Sequence, residues 1–307
     1  MSPLACRQCG DTAGPFVKGG LCEDCDQPPA LGLHTDLSNE TYHADKTSLS
    51  SSGARKLLPP SCPAKFRYEQ DNPSAPTKTF DYGNAAHKVV LGNGPKLILV
   101  DHDNWNTNDA KAEVAAARAQ GGIPLKRHEI DMVEAMADAI RRHPLAAALL
   151  DPAYGAPEQS GFWIDEATSI RRRVRFDWLP SIQSGRLLIP DYKTTTDASE
   201  EAMQKDIAKY GYNQQADWYE DGARALGLGG DDAELLLIAQ EKKPPYLVNV
   251  IGIEFFSRQI GRAKNRAAIE KFAECTASGH WPGYADTEPN YLALPGYAEN
   301  RDKELYL

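Results

Sequence analysis

The stretch from Ile170 to Lys193, IRRRVRFDWLPSIQSGRLLIPDYK, decides the fold, because it holds two β-rich runs with one turn between them. The first run covers 170–179 and the second covers 186–193. The residues Gln183-Ser184-Gly185 favour a short turn. A short turn joins antiparallel neighbours, so we expect the two runs to pair as a hairpin.

A third β-rich run, 158–165, precedes these two after another short turn. If each turn marks the centre of its pairing, Glu158 lies opposite Asp177, and Asp177 lies opposite Asp191. Lys193 follows Asp191 by two positions and therefore shares its face of the strand. The sequence predicts a row of three carboxylates across three strands, with a lysine beside them.

Grouped carboxylates raise one another's pKa unless a cation compensates their charge. Hard oxygen ligands suit Mg²⁺ or Mn²⁺. A divalent ion held there could polarise a phosphate and lower the pKa of a bound water. The neighbouring lysine could orient that water and stabilise charge on the phosphate. The alternative is a solvated polar strand, because Asp-x-Lys alone is a weak motif.

Arg173 and Arg175 alternate with core positions and share the face of Asp177. They are candidate DNA-binding residues, because guanidinium groups grip phosphate through charge-assisted hydrogen bonds. The alternative is a solvated strand edge with extended side chains. Trp163 and Trp178 are predicted to belong to the core.

Helices and strands are predicted on both sides of this region, which indicates an α/β or α+β fold with a mixed sheet flanked by helices. Thr47 or Ser48 is expected to cap a short helix that stops before Pro59. The remaining predictions are helices at 79–91, 108–120, 127–142, 198–209, 212–226 and 258–276, strands at 96–100, 233–241 and 246–256, and an irregular tail at 280–307.

Four cysteines lie near the start of the chain, as Cys6-x-x-Cys9 and Cys22-x-x-Cys25. Two such pairs can surround a structural Zn²⁺ with four thiolates. We therefore expect a zinc module at 1–27, followed by a linker at 28–40, a main domain at 41–285 that holds the carboxylate row, and a C-terminal tail at 286–307. The two isolated cysteines, Cys62 and Cys275, are predicted to be buried thiols.

The formal net charge of −9 argues against a large, uniformly basic surface for nucleic acid. It remains compatible with a local basic channel and with carboxylates that bind metals. No apolar run approaches the ~20 residues that cross a bilayer, and the first residues do not resemble a secretory signal. We therefore expect a cytoplasmic protein.

Five segments of the chain follow one another in a recognisable order: Thr41-Tyr42-His43 followed by the Ser-rich helix start, Gly83-Asn84-Ala85-Ala86-His87, Arg175-Phe176-Asp177, Asp191-Tyr192-Lys193-Thr194-Thr195, and the helix from Tyr212 to Tyr219. Through these segments, residues 41–295 resemble the nuclease domain of RecE (exonuclease VIII) and related phage exonucleases of the PD-(D/E)xK superfamily. Phe176 departs from the proline that this family often has, and Asp191 replaces the glutamate of some relatives.

The resemblance implies a restriction-endonuclease-like fold and a role for each matching residue. Asp177 and Asp191 would bind metal, and Lys193 would act at the nucleophilic water. The other implied site residues are His87 at the metal, Glu158 at an acidic position that matches less firmly, and Gln215 and Tyr219, which would face the site or the DNA.

The resemblance also implies a function. We expect a magnesium-dependent exonuclease that digests one strand of linear duplex DNA, from the 5′ end, in phage recombination. Its expected partners are DNA ends and a RecT-type single-strand annealing protein, and a ring-shaped homo-oligomer is expected. One alternative is a Cas4-like or RecB-like nuclease acting on single strands or flaps. The other is a catalytically silent DNA-binding scaffold with a zinc module.

Overall fold

A computed structural model describes residues 27–72, 78–181 and 185–307. The predicted zinc ligands Cys6, Cys9, Cys22 and Cys25 lie outside these ranges. The described strands are β1 (Gly32–His34), β2 (Leu49–Ser50), β3 (Leu97–Leu99), β4 (Ile123–Leu125), β5 (Gly155–Ile164), β6 (Arg171–Pro180), β7 (Leu188–Thr195), β8 (Glu234–Glu241) and β9 (Val248–Gly252).

The helices of the same ranges surround these strands. None of these helices is long and apolar enough to cross a membrane. They are α1 (Asn39–Ala44), α2 (Ser51–Lys56), α3 (Pro63–Asp71), α4 (Lys78–Leu91), α5 (Asn108–Ala119), α6 (Arg127–Arg142), α7 (Pro144–Leu149), α8 (Glu200–Tyr210), α9 (Tyr212–Ala225), α10 (Phe255–Ser278) and α11 (Gly296–Tyr306).

The antiparallel hairpin of β5 and β6 is the centre of a four-stranded sheet with the order β1-β5-β6-β2. Its register pairs Pro157 with Trp178 and Gln159 with Phe176. Glu158 therefore stands opposite Asp177 by position, as the turn predicted. The backbone of Glu158 has a φ of 58°, which is uncommon for a residue with a side chain.

The expected antiparallel pairing of β6 with β7 is wrong. In the described part of the chain β7 pairs in parallel with β8 and belongs to a second sheet, β7-β8-β9, in which Asp191 is aligned with Leu237. Helices α8 and α9 form the crossover that a parallel pair requires. Strands β6 and β7 still meet, because the Tyr192 backbone N–H donates to Asp177 Oδ2 over 2.9 Å.

Alternation along β6 separates core residues from cavity residues. Phe176 and Trp178 are buried in the core, while Arg173, Arg175 and Asp177 face a cavity. Strand β7 is buried on both faces, with Ile189 in one apolar cluster and Tyr192 in the other. The two clusters hold the sheets between α9 and α10 on one side and α4 and α6 on the other.

The predicted burial of four further residues is confirmed. Trp163 and Trp178 are core residues, as expected. Cys62 and Cys275 are free, buried thiols.

Three local predictions need correction. The predicted linker contains β1, which pairs with β5 through Leu33 and Gly161, so this part of the chain belongs to the sheet. Ser50, not Thr47 or Ser48, caps α2, because its side chain accepts from the Gly53 N–H over 3.2 Å. The tail contains α11, which buries no residue and therefore has no apolar periodicity to reveal it.

Candidate active site

A cavity of about 430 Å³ opens between β6, β7, α2 and the start of α9. A second cavity of about 490 Å³ adjoins it and is lined by His87, with Glu158 and Arg175 common to both. The fold thus brings the candidate residues from five separate elements to one place. Those that line the first cavity are Glu158, Arg173, Arg175, Asp177, Lys193, Gln215 and Tyr219.

Asp191 lies beneath the floor of this cavity and is 0% exposed. Lys193 Nζ is 2.5 Å from Asp191 Oδ2 and provides the counter-charge that a buried carboxylate needs. Gln215 Nε2 donates to Asp191 Oδ1 over 2.8 Å. Oδ2 itself has no hydrogen bond of regular geometry in the described structure. Lys193 also lines the cavity, so its side chain stands between Asp191 and the open space.

Asp177 and Glu158 are linked through His87. His87 Nε2 is 3.1 Å from Asp177 Oδ2, and His87 Nδ1 is 3.4 Å from Glu158 Oε1. Glu158 also forms an ion pair with Arg175. Two carboxylates and one imidazole therefore meet beside the Asp191–Lys193 pair.

The pKa values of Asp177 and Asp191 are shifted in opposite directions. Burial raises the pKa of Asp191 to about 6, and the nearby charge of Asp177 adds to this rise. Burial also opposes ionisation of Asp177, but the charges of His87 and Lys193, with hydrogen bonds from His87 and Tyr192, lower its pKa to about 2. Carboxyl groups with pKa values moved apart in this way are typical of catalytic sites.

The two bases respond to the same carboxylates. Burial lowers the pKa of Lys193, but Asp191 and Asp177 outweigh burial and raise it. Burial likewise opposes protonation of His87, while Asp177 and Glu158 raise its pKa.

Within the described residues no group of three or more His, Cys, Asp or Glu side chains is arranged to hold a metal ion. The carboxylate oxygens of Asp191 and Asp177 already have partners within the protein. Asp191 contacts Lys193 and Gln215, and Asp177 contacts His87 and the Tyr192 N–H. The chemistry of the donors nevertheless fits a hard divalent cation, because the site offers carboxylate oxygens and one imidazole. The buried Asp191 Oδ2, which lacks a regular hydrogen bond, is the atom that a cation would satisfy best.

The two arginines that were predicted to bind DNA form hydrogen bonds within the protein. Arg173 Nη1 donates to the carbonyl oxygens of Tyr42 and Asp45, each over 2.5 Å. Arg175 donates to Glu158, to Ser160 Oγ and to the Leu37 carbonyl. Both side chains are largely buried, so they shape and charge the cavity wall and keep few donors for phosphate.

Gln215 and Tyr219 lie on the face of α9 that turns toward the site. Gln215 holds Asp191, and the Tyr219 ring packs edge-on against Phe176 with ring centroids 5.6 Å apart. Burial raises the pKa of Tyr219 well above its usual value, and Asp191 adds to this rise.

Sequence reasoning did not single out Asn39, Arg55 and Tyr210 of the cavity wall. They come from short helices and from the α8–α9 junction, and only tertiary packing brings them together. The local signal that could have drawn attention to Tyr210 is Tyr210-Gly211-Tyr212. Four other wall residues, Ser50, Ser51, Ser52 and Tyr212, belong to segments that match the family, but no role was assigned to them.

Known proteins resemble the chain in fold and in family. A solved structure from Eubacterium rectale, named a "putative exonuclease", superposes with a TM-score of 0.58 at 12% sequence identity. The match covers 85% of this chain and 97% of that one, and at this identity it shows the fold alone. No protein with a curated description matches.

The family assignment is direct. A family model described as "PDDEXK-like domain of unknown function (DUF3799)" matches residues 50–291, which include every candidate residue of the described site. Because this match spans well over half of the sequence, the chain belongs to this family of PDDEXK-like domains.

Proposed function

We propose that the chain is a magnesium-dependent nuclease that hydrolyses DNA phosphodiester bonds. One observation carries the proposal: a fully buried aspartate, Asp191, is paired with Lys193 beneath the floor of an open cavity that Lys193 and Asp177 line. Burial of this charge is costly for stability, and the Asp-x-Lys spacing puts a cation beside it. A site of this kind is suited to a metal-assisted attack of water on phosphate.

Asp177 and Asp191 would hold the divalent ion, with Glu158 and His87 next to them. A bound Mg²⁺ would polarise the phosphate and lower the pKa of water. Lys193 would have to give up its contact with Asp191 Oδ2 to leave that oxygen for an ion. Its side chain already lines the cavity, where its ammonium could orient water and compensate phosphate charge. Gln215 keeps Asp191 in position throughout, because it holds the other oxygen.

We further propose that the enzyme is an exonuclease that digests one strand of linear duplex DNA, in the 5′ to 3′ direction. The RecE-like motifs support this reading, and so does the printed name of the Eubacterium rectale protein. A RecT-type annealing partner, a ring-shaped oligomer and a role in phage recombination rest on the resemblance alone.

The alternative enzyme is a Cas4-like or RecB-like nuclease that cuts single strands or flaps. The alternative without catalysis is a DNA-binding scaffold. The buried Asp191–Lys193 pair lies close enough to Asp177 for the charge of Asp177 to raise the pKa of Asp191. Two carboxylates and a lysine grouped beside an open cavity favour an enzyme over a scaffold.

The test compares linear with covalently closed plasmid DNA in Mg²⁺ over a time course, beside single-stranded and flap oligonucleotides. We expect loss of linear duplex while the closed circle persists. Nicking of the closed circle at a similar rate would contradict the exonuclease proposal. Preferential cutting of single strands or flaps would favour the alternative enzyme.

We also propose that Cys6, Cys9, Cys22 and Cys25 bind one structural zinc ion. The support is their spacing, in a segment too short to bury much apolar surface. Metal analysis should find one zinc per chain, lost on replacing Cys9 and Cys22 with serine, while DNA cleavage persists. An iron–sulfur absorption spectrum in the purified protein would contradict this assignment.

A further inference from the structure

Two tyrosines stand at the mouth of the cavity, where α8 ends and α9 begins. Tyr210 and Tyr212 both line the cavity that contains Asp177 and Lys193. Their ring centroids are 5.6 Å apart and their planes differ by 33°. Neither ring has a role in the hydrolytic site described above.

The junction between the helices fixes this arrangement. Gly211, between the two tyrosines, has a φ of 68°, a conformation that a side chain rarely adopts. Arg55 of α2 donates to the Tyr210 carbonyl from the opposite wall. A Cβ on Gly211 would stand 2.9 Å from Arg55 Cδ, so glycine also permits this close contact. The tyrosines are thereby held on one side of the opening.

The two rings differ in how firmly they are packed. Tyr212 is half-buried against the core, and Lys193 Nζ is 5.8 Å from its ring centroid. Tyr210 is 40% exposed, and Lys209 Nζ lies 4.8 Å from its ring. Tyr212 is therefore the inner ring, close to the proposed catalytic lysine, and Tyr210 is the outer ring at the cavity mouth.

We propose that Tyr210 and Tyr212 form a platform on which an unpaired base of the cut strand stacks, next to the phosphate at Lys193. The reasoning rests on the proposed nuclease function. Stacking on aromatic side chains is independent of sequence, because every base has a π-face. The opposite wall, with Ser50, Ser51, Ser52 and Arg55, offers hydroxyl and guanidinium donors for the sugar-phosphate backbone.

Stacking of one base on such a platform is worth roughly 5- to 150-fold in affinity. It would hold the end of the strand apart from its complement without reading its sequence. This property suits an enzyme that removes any nucleotide in turn.

The experiment uses the full chain in Ca²⁺, so that DNA is bound with little cleavage. Duplexes carry 2-aminopurine, or an abasic site, at successive positions from the end. With wild-type protein we expect quenched fluorescence at one position, and about 5- to 150-fold weaker binding when the base there is absent. Tyr210→Leu should lose both effects, while Tyr210→Phe should keep them because the ring remains.

Two controls make the result specific. Tyr68→Ala removes another exposed tyrosine, on α3 outside the cavity, and should change neither signal. Tyr212→Phe keeps the inner ring and removes only its hydroxyl, so both signals should persist if stacking on the ring produces them. Unchanged melting temperatures would show that the variants are folded.

The outcomes separate this inference from the proposed function. If wild type degrades DNA in Mg²⁺ but Tyr210→Leu still distinguishes base from abasic site, the platform is wrong and the nuclease stands. If wild type neither binds nor degrades any DNA, both proposals are overturned.

Discussion

Asp191 and Lys193 show at the scale of single residues why the site is more than a polar strand. A buried ionised carboxylate is costly unless a partner compensates it. Lys193 is that partner at 2.5 Å, and the pKa of Asp191 still stands at about 6 because of burial and Asp177. The pair is therefore poised so that a cation can take the place of the ammonium group.

Replacing Lys193 with methionine should separate metal binding from turnover. The aliphatic stem stays and the ammonium group is lost, while the proposed metal ligands Asp177 and Asp191 are unchanged. We expect Ca²⁺ affinity at pH 8 to stay within a few-fold of wild type, while the cleavage rate in Mg²⁺ falls by roughly 10²-fold or more. Calorimetry and a DNA-release assay measure the two effects. An unchanged cleavage rate would remove Lys193 from the mechanism.

Metal affinity should depend on pH through Asp191. Its folded pKa is raised to about 6, so the carboxyl is protonated below that value and must lose a proton to bind a cation. Protonation of His87, whose pKa is also raised, acts in the same direction. We expect Ca²⁺ affinity to fall by about tenfold or more for each pH unit below 6. Equal affinity at pH 5 and pH 8 would contradict the buried-carboxylate description.

At the scale of elements, local patterns predicted what local contacts decide. The β5–β6 hairpin register placed Glu158 opposite Asp177 because one short turn sets it. The same reasoning failed for β7, whose partner β8 lies two helices further along the chain. Turn signals carry no information on such a non-local pairing. Tyr210 and Arg55 of the cavity wall were missed for the same reason, because only packing brings them together.

Hydrogen bonds between Arg266 and Asp165 connect helix α10 to the β5–β6 turn. Arg266 donates to both carboxylate oxygens over 2.9 and 2.8 Å. These hydrogen bonds are the main reason that the pKa of Asp165 is lowered to about 2, although burial acts to raise it. Because the folded pKa lies below the unfolded value, the stabilisation is present above about pH 4 and is lost as the pH falls toward 2.

Replacing Arg266 with glutamine should lower the free energy of unfolding by about 1–2 kcal/mol at pH 7, since Arg266 is partly exposed. The difference from wild type should shrink as the pH falls below 4. Urea denaturation measures both. Lys271→Gln, which removes a surface ion pair on the same helix, should change stability by less than about 0.5 kcal/mol. Equal effects of the two substitutions would show that the Asp165 contact contributes no more to stability than a surface ion pair does.

At the scale of the whole molecule, the charge distribution bears on where the proposed DNA binding would occur. The chain carries a net charge of −9, and its arginines near the cavity are mostly bound to protein carbonyls and carboxylates. An acidic surface repels duplex DNA over long distances. Binding should therefore depend on the site itself, where a divalent cation reverses the local charge, and should weaken as salt rises.

The most direct test of the central claim is nucleotide release from linear duplex DNA in Mg²⁺ by matched variants. Asp191→Asn keeps the size of the side chain and removes the buried charge, whereas Glu201→Gln removes an exposed carboxylate on α8. The wild type and Glu201→Gln should release nucleotides at the same rate, and Asp191→Asn should fall to background while remaining folded. An Asp191→Asn protein as active as wild type would contradict a nuclease centre at Asp177, Asp191 and Lys193.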